Sequence, residues 1–203
     1  MPEKEYCMDI KDMFLSHHLW AQSDGKSGKK LEIVKKEIRE LNLTEMNLSC
    51  SEIVDSNVSN SFLTNNDMSD CCFLGSSFDG TNLSECMLSK TVFDHASLKN
   101  SILRNCLGIK ASFDDADLSI ADLSGSDMRR ASFRRANLRY TNFYNVDLTG
   151  AILDGALLYG ASFKDAKGID EIFAQYIFVG TEDEPIRLEG DNIQKWLLES
   201  RKG

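Results

Sequence analysis

From Leu43 to Phe163 every fifth residue is apolar with one exception, and the register holds across 25 consecutive pentapeptides. The centres are 13 Leu, 7 Phe, 2 Met, 1 Ile and 1 Val, and the exception is Gly108. Two residues before each centre stands Ala, Ser, Thr or Cys in 21 of the 25 units, the departures being Leu41, Met46, Asn66 and Val146. A short fixed period marks a repeat architecture, and it governs the fold before any local propensity does.

An α-helix advances about 100° per residue, so five residues overshoot one turn by roughly 140° and a period-five apolar set would smear around the cylinder. A straight strand has period two, which puts the small and large residues on one face but gives no reason to restart after five. A corner must intervene. Each unit is therefore expected to be a short extended segment followed by a tight turn, with two residues inward and three outward. The outward chemistry agrees: Asn82, Asp117, Asp122, Asp127, Asn137, Asn142 and Asp147 precede centres, and Gly75, Gly80, Gly125, Gly150, Gly155 and Gly160 close units. Glycine takes positive φ without a Cβ penalty, and short polar side chains bond to nearby backbone. The 24 apolar centres, each worth very roughly 1.5 to 3 kcal/mol when buried, oppose the ordering entropy without a two-layer core.

ADLSI (116–120), ADLSG (121–125), ANLRY (136–140) and TNFYN (141–145) resemble the motif of the pentapeptide-repeat family: a small residue, Asp or Asn, Leu or Phe, then two variable positions. The resemblance implies an all-β solenoid, a right-handed quadrilateral β-helix with four pentapeptides per coil. Phe73, Phe93, Phe113 and Phe133 recur at the matching interval of 20 and would stack on one wall. The expected core also holds Leu118, Leu123, Leu138, Phe143 and Leu148. Residues 41–165 would give about six coils and a rod roughly 30 Å long at the usual strand spacing.

Three segments follow from this: an N-terminal cap (1–30), the β-helix (31–165) and a C-terminal cap or dimerisation element (166–203). Residues 7–21 read as an amphipathic helix with Ile10, Met13, Phe14, Leu19 and Trp20 on its apolar face. Residues 31–41 fit both helical spacing and the period-five register, and are favoured as an imperfect first coil. Beyond Asp165 the pattern suggests a short helix, a two-strand element around Glu184-Pro185 and a terminal helix N-capped by Asp191. An open solenoid end needs a lid, and Phe173, Phe178, Trp196 and Leu197 are candidates. The alternative for this element is a homodimer contact, as in some members of the family.

The chain of 203 residues is 42% apolar with two Pro, and has no apolar run of transmembrane length and no signal-peptide core at its start. It is expected to be cytoplasmic, with no membrane contact. The six Cys lack metal or redox spacing, and Cys71, Cys86 and Cys106 occupy the small inward position, so structural thiols are expected. Gly25-Lys26-Ser27 looks like the end of a phosphate-binding loop, but Trp20 stands where the motif needs Gly, and a flexible connector is the better reading. His17 and His18 are adjacent rather than one helical turn apart, so they suit a surface or capping role over a metal pair. His95 has no arranged nucleophile. Asn66, at a small inward position, is expected to be a satisfied buried amide. Gly108 could mark a bulge with Ile109 turning in, a thin wall or a cavity. No catalytic residue, metal or cofactor is expected, and the chain is read as a non-enzyme.

Charge is where function would be written on such a rod. Residues 1–40 balance at 8 basic and 8 acidic, residues 41–165 carry 10 basic and 16 acidic, and the whole chain is −9. The resemblance brings in an activity known in quinolone-resistance relatives, imitation of duplex DNA to occupy a type II topoisomerase (gyrase). Mimicry needs continuous carboxylate faces. Projected at 20 per coil, Lys90, Lys110 and Arg130 stack in one column, Asp114 and Asp115 lie beside Arg134 and Arg135, and Arg129 and Arg139 complete a basic belt. The expected function is a protein-interaction scaffold contacting an unknown protein through this belt or the C-terminal element, without direct nucleic-acid binding. The topoisomerase-modulating DNA mimic is the alternative.

Overall fold

The computed structural model describes residues 9–202. Helix α1 spans Ile10–Gln22; residues 7 and 8 of the expected helix, and Cys7, lie outside the described residues. The chain then enters a solenoid. Parallel bridges join each residue before a centre to its equivalent 20 residues on, from Glu37↔Asn57 through Ser97↔Asp117 to Asp147↔Lys167. A bridge every five residues with partners 20 apart makes four bridged segments per turn, here walls A, B, C and D, centred in one coil on Phe113, Leu118, Leu123 and Met128. Only β1 (Glu32–Val34) and β2 (Glu52–Val54) extend the pairing to three residues. Residues 31–41 belong to this coil and not to a helix.

The corners explain why the walls are so short. Every unit-closing residue from Lys35 to Asp165 has φ between 48° and 74°. Glycine adopts this without cost and Asn or Asp nearly so, and a strand cannot continue through it. Between corners the backbone bonds run from coil to coil: Phe93 N–H donates to the Ser112 carbonyl (2.7 Å), His95 N–H to Asp114 (2.9 Å), and Val92 N–H back to Cys71 (2.9 Å). The backbone groups of each wall are thus spent on its neighbours along the rod.

All nine core residues named above are buried. Phe93 and Phe113 stack with centroids 5.2 Å apart, Phe113 and Phe133 at 5.1 Å, their planes within a few degrees of parallel, while Phe73 is tilted by 48° on Phe93. The small inward residues do more than leave room. The Thr81 and Thr141 hydroxyls donate to the Val58 and Leu118 carbonyls (3.1 and 2.8 Å), and the Cys71, Cys86 and Cys106 thiols donate to Leu48, Leu63 and Leu83 (3.0, 2.9 and 3.1 Å). Each answers a carbonyl at a corner that the coil-to-coil bonds leave over. Asn66 does so twice, donating to Leu43 and Leu63 (3.0 and 2.9 Å) while accepting the Met46 N–H at 2.7 Å.

Gly108 makes neither bulge nor cavity. Its N–H keeps the coil bond to Asp127 (2.8 Å), and Met128 from the next coil fills the vacant centre: a Cβ on Gly108 would lie 2.6 Å from the Met128 sulfur. Restoring the repeat rule with Gly108→Leu is therefore expected to overpack the axis and cost about 1–3 kcal/mol. The double change Gly108→Leu/Met128→Ala should recover most of it, as read by urea unfolding.

At the N-terminal end α1 buries Phe14 and His17, while Leu19, expected on the buried face, is 53% exposed. The rotation follows from the bonds of the two histidines. His17 accepts the Leu31 N–H at Nδ1 (2.9 Å) and bonds the Ser49 carbonyl through Nε2 (3.1 Å), and His18 Nδ1 accepts the Asn47 N–H (2.9 Å). The imidazoles serve backbone groups that have no preceding coil to bond. The connector after α1 is pinned rather than free, since Lys29 N–H bonds Ser16 O (3.2 Å) and a Cβ on Gly28 would fall 2.0 Å from that oxygen.

At the other end stacking continues past Asp165, with Ile152↔Phe173 and Leu157↔Phe178 after one inserted residue. A short 3₁₀ turn (Ile169–Glu171) leads to β3 (Tyr176–Gly180), which pairs antiparallel with β4 (Pro185–Glu189), and α2 (Asp191–Ser200) follows. The N-cap of α2 is Gly190, and Asp191 is the first helical residue, without a side-chain cap bond. Leu197 is buried and Trp196 sits edge-on to Phe163 at 6.0 Å, so these two close the axis. Phe173 does not: it points outward from wall A, 65% exposed.

Candidate functional site

Each residue of the expected basic belt leaves the rod from a corner or beside one, where the chain direction changes and side chains fan outward. Five of the seven are held by carboxylates on the same rod. Arg134 meets Asp114 at 3.5 Å, Arg135 meets Asp115 at 2.7 Å, Arg129 grips Asp127 at 2.7 Å, Lys90 lies 3.5 Å from Asp70, and Arg139 reaches across to Glu182 on the hairpin loop. The guanidinium of Arg135 holds the Asp115 carboxyl below its ordinary value, and that of Arg129 does the same for Asp127. Such exposed pairs contribute little to stability but fix where charge is presented. Lys110 and Arg130 have no ion pair among the described residues, and they are stacked neighbours at the corner between walls D and A.

Carboxylates are likewise engaged. Asp94 accepts the Ser112 hydroxyl and the Asp114 N–H, and Asp114 repeats this one coil later with Ser132 and Arg134. The column Asp94, Asp114, Arg134, Asp154 is interrupted by a cation at its third position.

The buried thiols are unsuited to nucleophilic work. Burial pushes Cys71, Cys86 and Cys106 up to about 12, where the reactive thiolate is negligible. All five described cysteines are free. Among the described residues no group of three His, Cys, Asp or Glu could hold a metal ion, and no helix is long and apolar enough to cross a membrane. The grooves are open. One of about 420 Å³ lies on wall A between Arg134, Ile152, Asp154 and Phe173, and one of about 190 Å³ lies under the hairpin between Arg139, Tyr159, Phe178 and Glu182.

Exposed apolar side chains are a further surface feature, beside the charges. Met87 (43% exposed), Leu107 (40%) and the half-buried Ile109 form an island on wall D beside Lys110. Ile120 is 57% exposed at a corner φ of 62°, a conformation a β-branched residue seldom takes, and Tyr140 follows it in the column with its hydroxyl bonded to Tyr159 (2.7 Å). The signal was present in the chain: Met87 and Leu107 occupy the position before the centre, which at 47, 67, 127 and 147 of the same column is Asn or Asp.

A profile of pentapeptide repeats matches residues 67–105, 111–150 and 141–167 in eight copies. Among solved structures, a pentapeptide repeat protein from the thylakoid lumen of Arabidopsis thaliana is 34% identical, covering 45% of this chain and 68% of that one with a TM-score of 0.39. HetL, a pentapeptide repeat protein involved in heterocyst differentiation regulation from the cyanobacterium Nostoc sp. strain PCC 7120, is 18% identical over 79% of this chain and 94% of its own (TM-score 0.30). QnrB1, a plasmid-mediated fluoroquinolone resistance protein, is 14% identical over 73% and 93% (TM-score 0.39). No curated protein sequence matches the chain.

Proposed function

The chain belongs to the pentapeptide-repeat family, and from that premise we propose that it is a non-enzymatic scaffold whose walls bind a partner protein in the cytoplasm. In this reading the solenoid is a right-handed quadrilateral β-helix of about six coils at the usual strand spacing. It acts as a monomer, or as a homodimer through the hairpin and α2, and touches neither membrane nor nucleic acid directly. The observation that supports it is the division of labour in each coil. Inward positions are closed by apolar stacking and hydroxyl, thiol or amide bonds, and the exposed side chains stand in flat stacked columns. A surface of this kind can be rewritten without touching the fold, and it offers contacts rather than a reaction cleft.

A DNA-mimicking modulator of a type II topoisomerase is the second reading. It is favoured by the net charge of −9 and by the adjacent Asp127 and Asp147 of wall D. Against it, Arg134 interrupts wall A, Met87 and Leu107 interrupt wall D, and Lys99 and Arg139 share a column with Asp79 on wall B.

The test is a pull-down with tagged full-length protein from lysate of the source cells, with mass spectrometry, beside the wall variants Arg134→Glu/Arg135→Glu and Lys110→Glu/Arg130→Glu. A specific protein recovered by the parent and lost in one variant is the expected result. Recovery of a topoisomerase subunit, with inhibition of DNA supercoiling by the purified chain, would replace the first reading by the second. No specific protein in any pull-down would sink both.

A further inference from the structure

We propose that wall D, across the coils centred on Leu88 and Gly108, docks an acidic amphipathic α-helix of a partner protein. The inference deepens the scaffold reading and rests on it. Its ground is a local breach of the rule that the rest of the wall obeys. Before the other centres of wall D stand Asn47, Asp67, Asp127 and Asp147, and each uses a side-chain oxygen to accept the N–H two residues on, at 3.0, 3.0, 3.2 and 3.0 Å. That bond holds the corner. Met87 and Leu107 forgo it and expose thioether and isobutyl groups instead, and Ile109 stands where the column below it reads Ser49, Ser69, Ser89. Where one wall keeps its own rule in the coils on either side and breaks it at two adjoining positions, a functional reason is expected.

The chemistry of the island selects its occupant. Along its edge run Lys110 and Arg130, the two belt cations left unpaired, so the partner is apolar at its centre and acidic on that flank. Asp67 and Asp127 bracket the island within its own column, which confines the partner's carboxylates to the Lys110–Arg130 side. The partner cannot add as a strand to this wall, because its backbone is already spent: Leu107 N–H on Cys86, Gly108 on Asp127, Lys110 on Arg129 (3.0, 2.8 and 3.0 Å). Recognition must come from side chains. Equivalent residues of successive coils repeat at about 4.8 Å, and a helix laid along the rod repeats side chains i and i+3 at about 4.5 Å. Glutamates three apart thus meet Lys110 and Arg130 in register while leucines of the same helix cover Met87 and Leu107. The exposed methionine adapts its shape to the apolar face it receives.

The probe is a fluorescein-labelled synthetic peptide of roughly 20 residues, patterned as an amphipathic helix with a leucine stripe and glutamates three apart on one flank. Its anisotropy is titrated with the full-length chain. Saturable binding is expected, weakened at least about tenfold by Leu107→Glu and by Lys110→Glu/Arg130→Glu. The Arg134→Glu/Arg135→Glu variant should bind as the parent does. Circular dichroism and a thermal melt verify that each variant is folded, and Leu107→Ser serves if Leu107→Glu is not. Absence of saturation up to about 1 mM chain, equal binding of a scrambled peptide of the same composition, or equal loss in the two charge-reversal variants would overturn the proposal. The two levels separate cleanly. A lysate partner recovered undiminished by Leu107→Glu leaves the scaffold reading standing and removes this surface. Peptide binding as expected with no lysate partner shows that the surface accepts such a helix, but removes the scaffold reading and with it the partner protein proposed here.

Discussion

Replacing Phe113 by Ala is expected to cost about 3–5 kcal/mol. Phe113 is fully buried and lies between two rings, Phe93 at 5.2 Å and Phe133 at 5.1 Å, so truncation empties the middle of a stack and removes two aromatic pairs. The position also matters for cooperativity. Each coil contacts only the coils beside it, so stability is close to a sum of coil terms and nearest-neighbour terms. A gap at Phe113 weakens the interfaces on both sides of one coil. Urea unfolding followed by circular dichroism should show a lower midpoint and a broadened or split transition. Tyr144→Ala, on the exposed face of wall C, should stay within about 0.5 kcal/mol of the parent. A Phe113→Ala transition as sharp and as late as the parent's would show that the stack does not carry the rod.

The second large effect is expected at His17, and it depends on pH. Burial holds this imidazole below its ordinary value of 6.5, against the opposing pull of the carbonyls near Leu48 and Ser49. The unfolded chain therefore binds the proton more readily than the folded one, and stability rises with pH through this range. The contribution is complete above 6.5 and is lost progressively as pH falls below it. The structural cause is specific. Nδ1 accepts the Leu31 N–H, and a proton there would face another donor at 2.9 Å. Acid is thus expected to loosen α1 and the first coil before the rest. The protection factors of the Leu31 amide and its neighbours, taken against the intrinsic rate at each pH, should fall between pH 7 and 5 while protection around Phe113 stays high. His17→Ala should give the loose end at all pH values, at a cost of about 1–3 kcal/mol for each buried backbone group left without a partner. Uniform protection of the first coil at both pH values would refute this role.

The period-five register was enough to exclude helix from residues 43–163, to name the core residues and to place a corner after each unit, because both inward positions repeat and the closing residues favour left-handed backbone. Burial of a repeated face is a local consequence of chain geometry, so it is legible without coordinates. The satisfied state of Asn66 was legible for the same reason, since an amide facing inward must find backbone partners. Which partners it finds, at separations of 3, 20 and 23 residues, was not.

The fate of the charges was hidden because pairing depends on rotamers and on neighbours one coil away. Seven cations that project as one belt reduce to two unpaired ones only when Arg139 is seen to reach Glu182, 43 residues later on a hairpin the repeat does not govern. The vacant centre at Gly108 looked like a defect until Met128 of the next coil was found filling it. The adjacency of His17 and His18 pointed to a surface or capping role, but which backbone groups of the unfinished coil they bond was not legible in the chain. The sequence by itself determined the solenoid, its inward code and its turns, since these rest on the periodicity of the backbone and on hydrophobic burial. Only the tertiary structure decided which backbone groups the caps bond and which belt cations stay unpaired, since these rest on contacts between residues whose spacing no local rule relates.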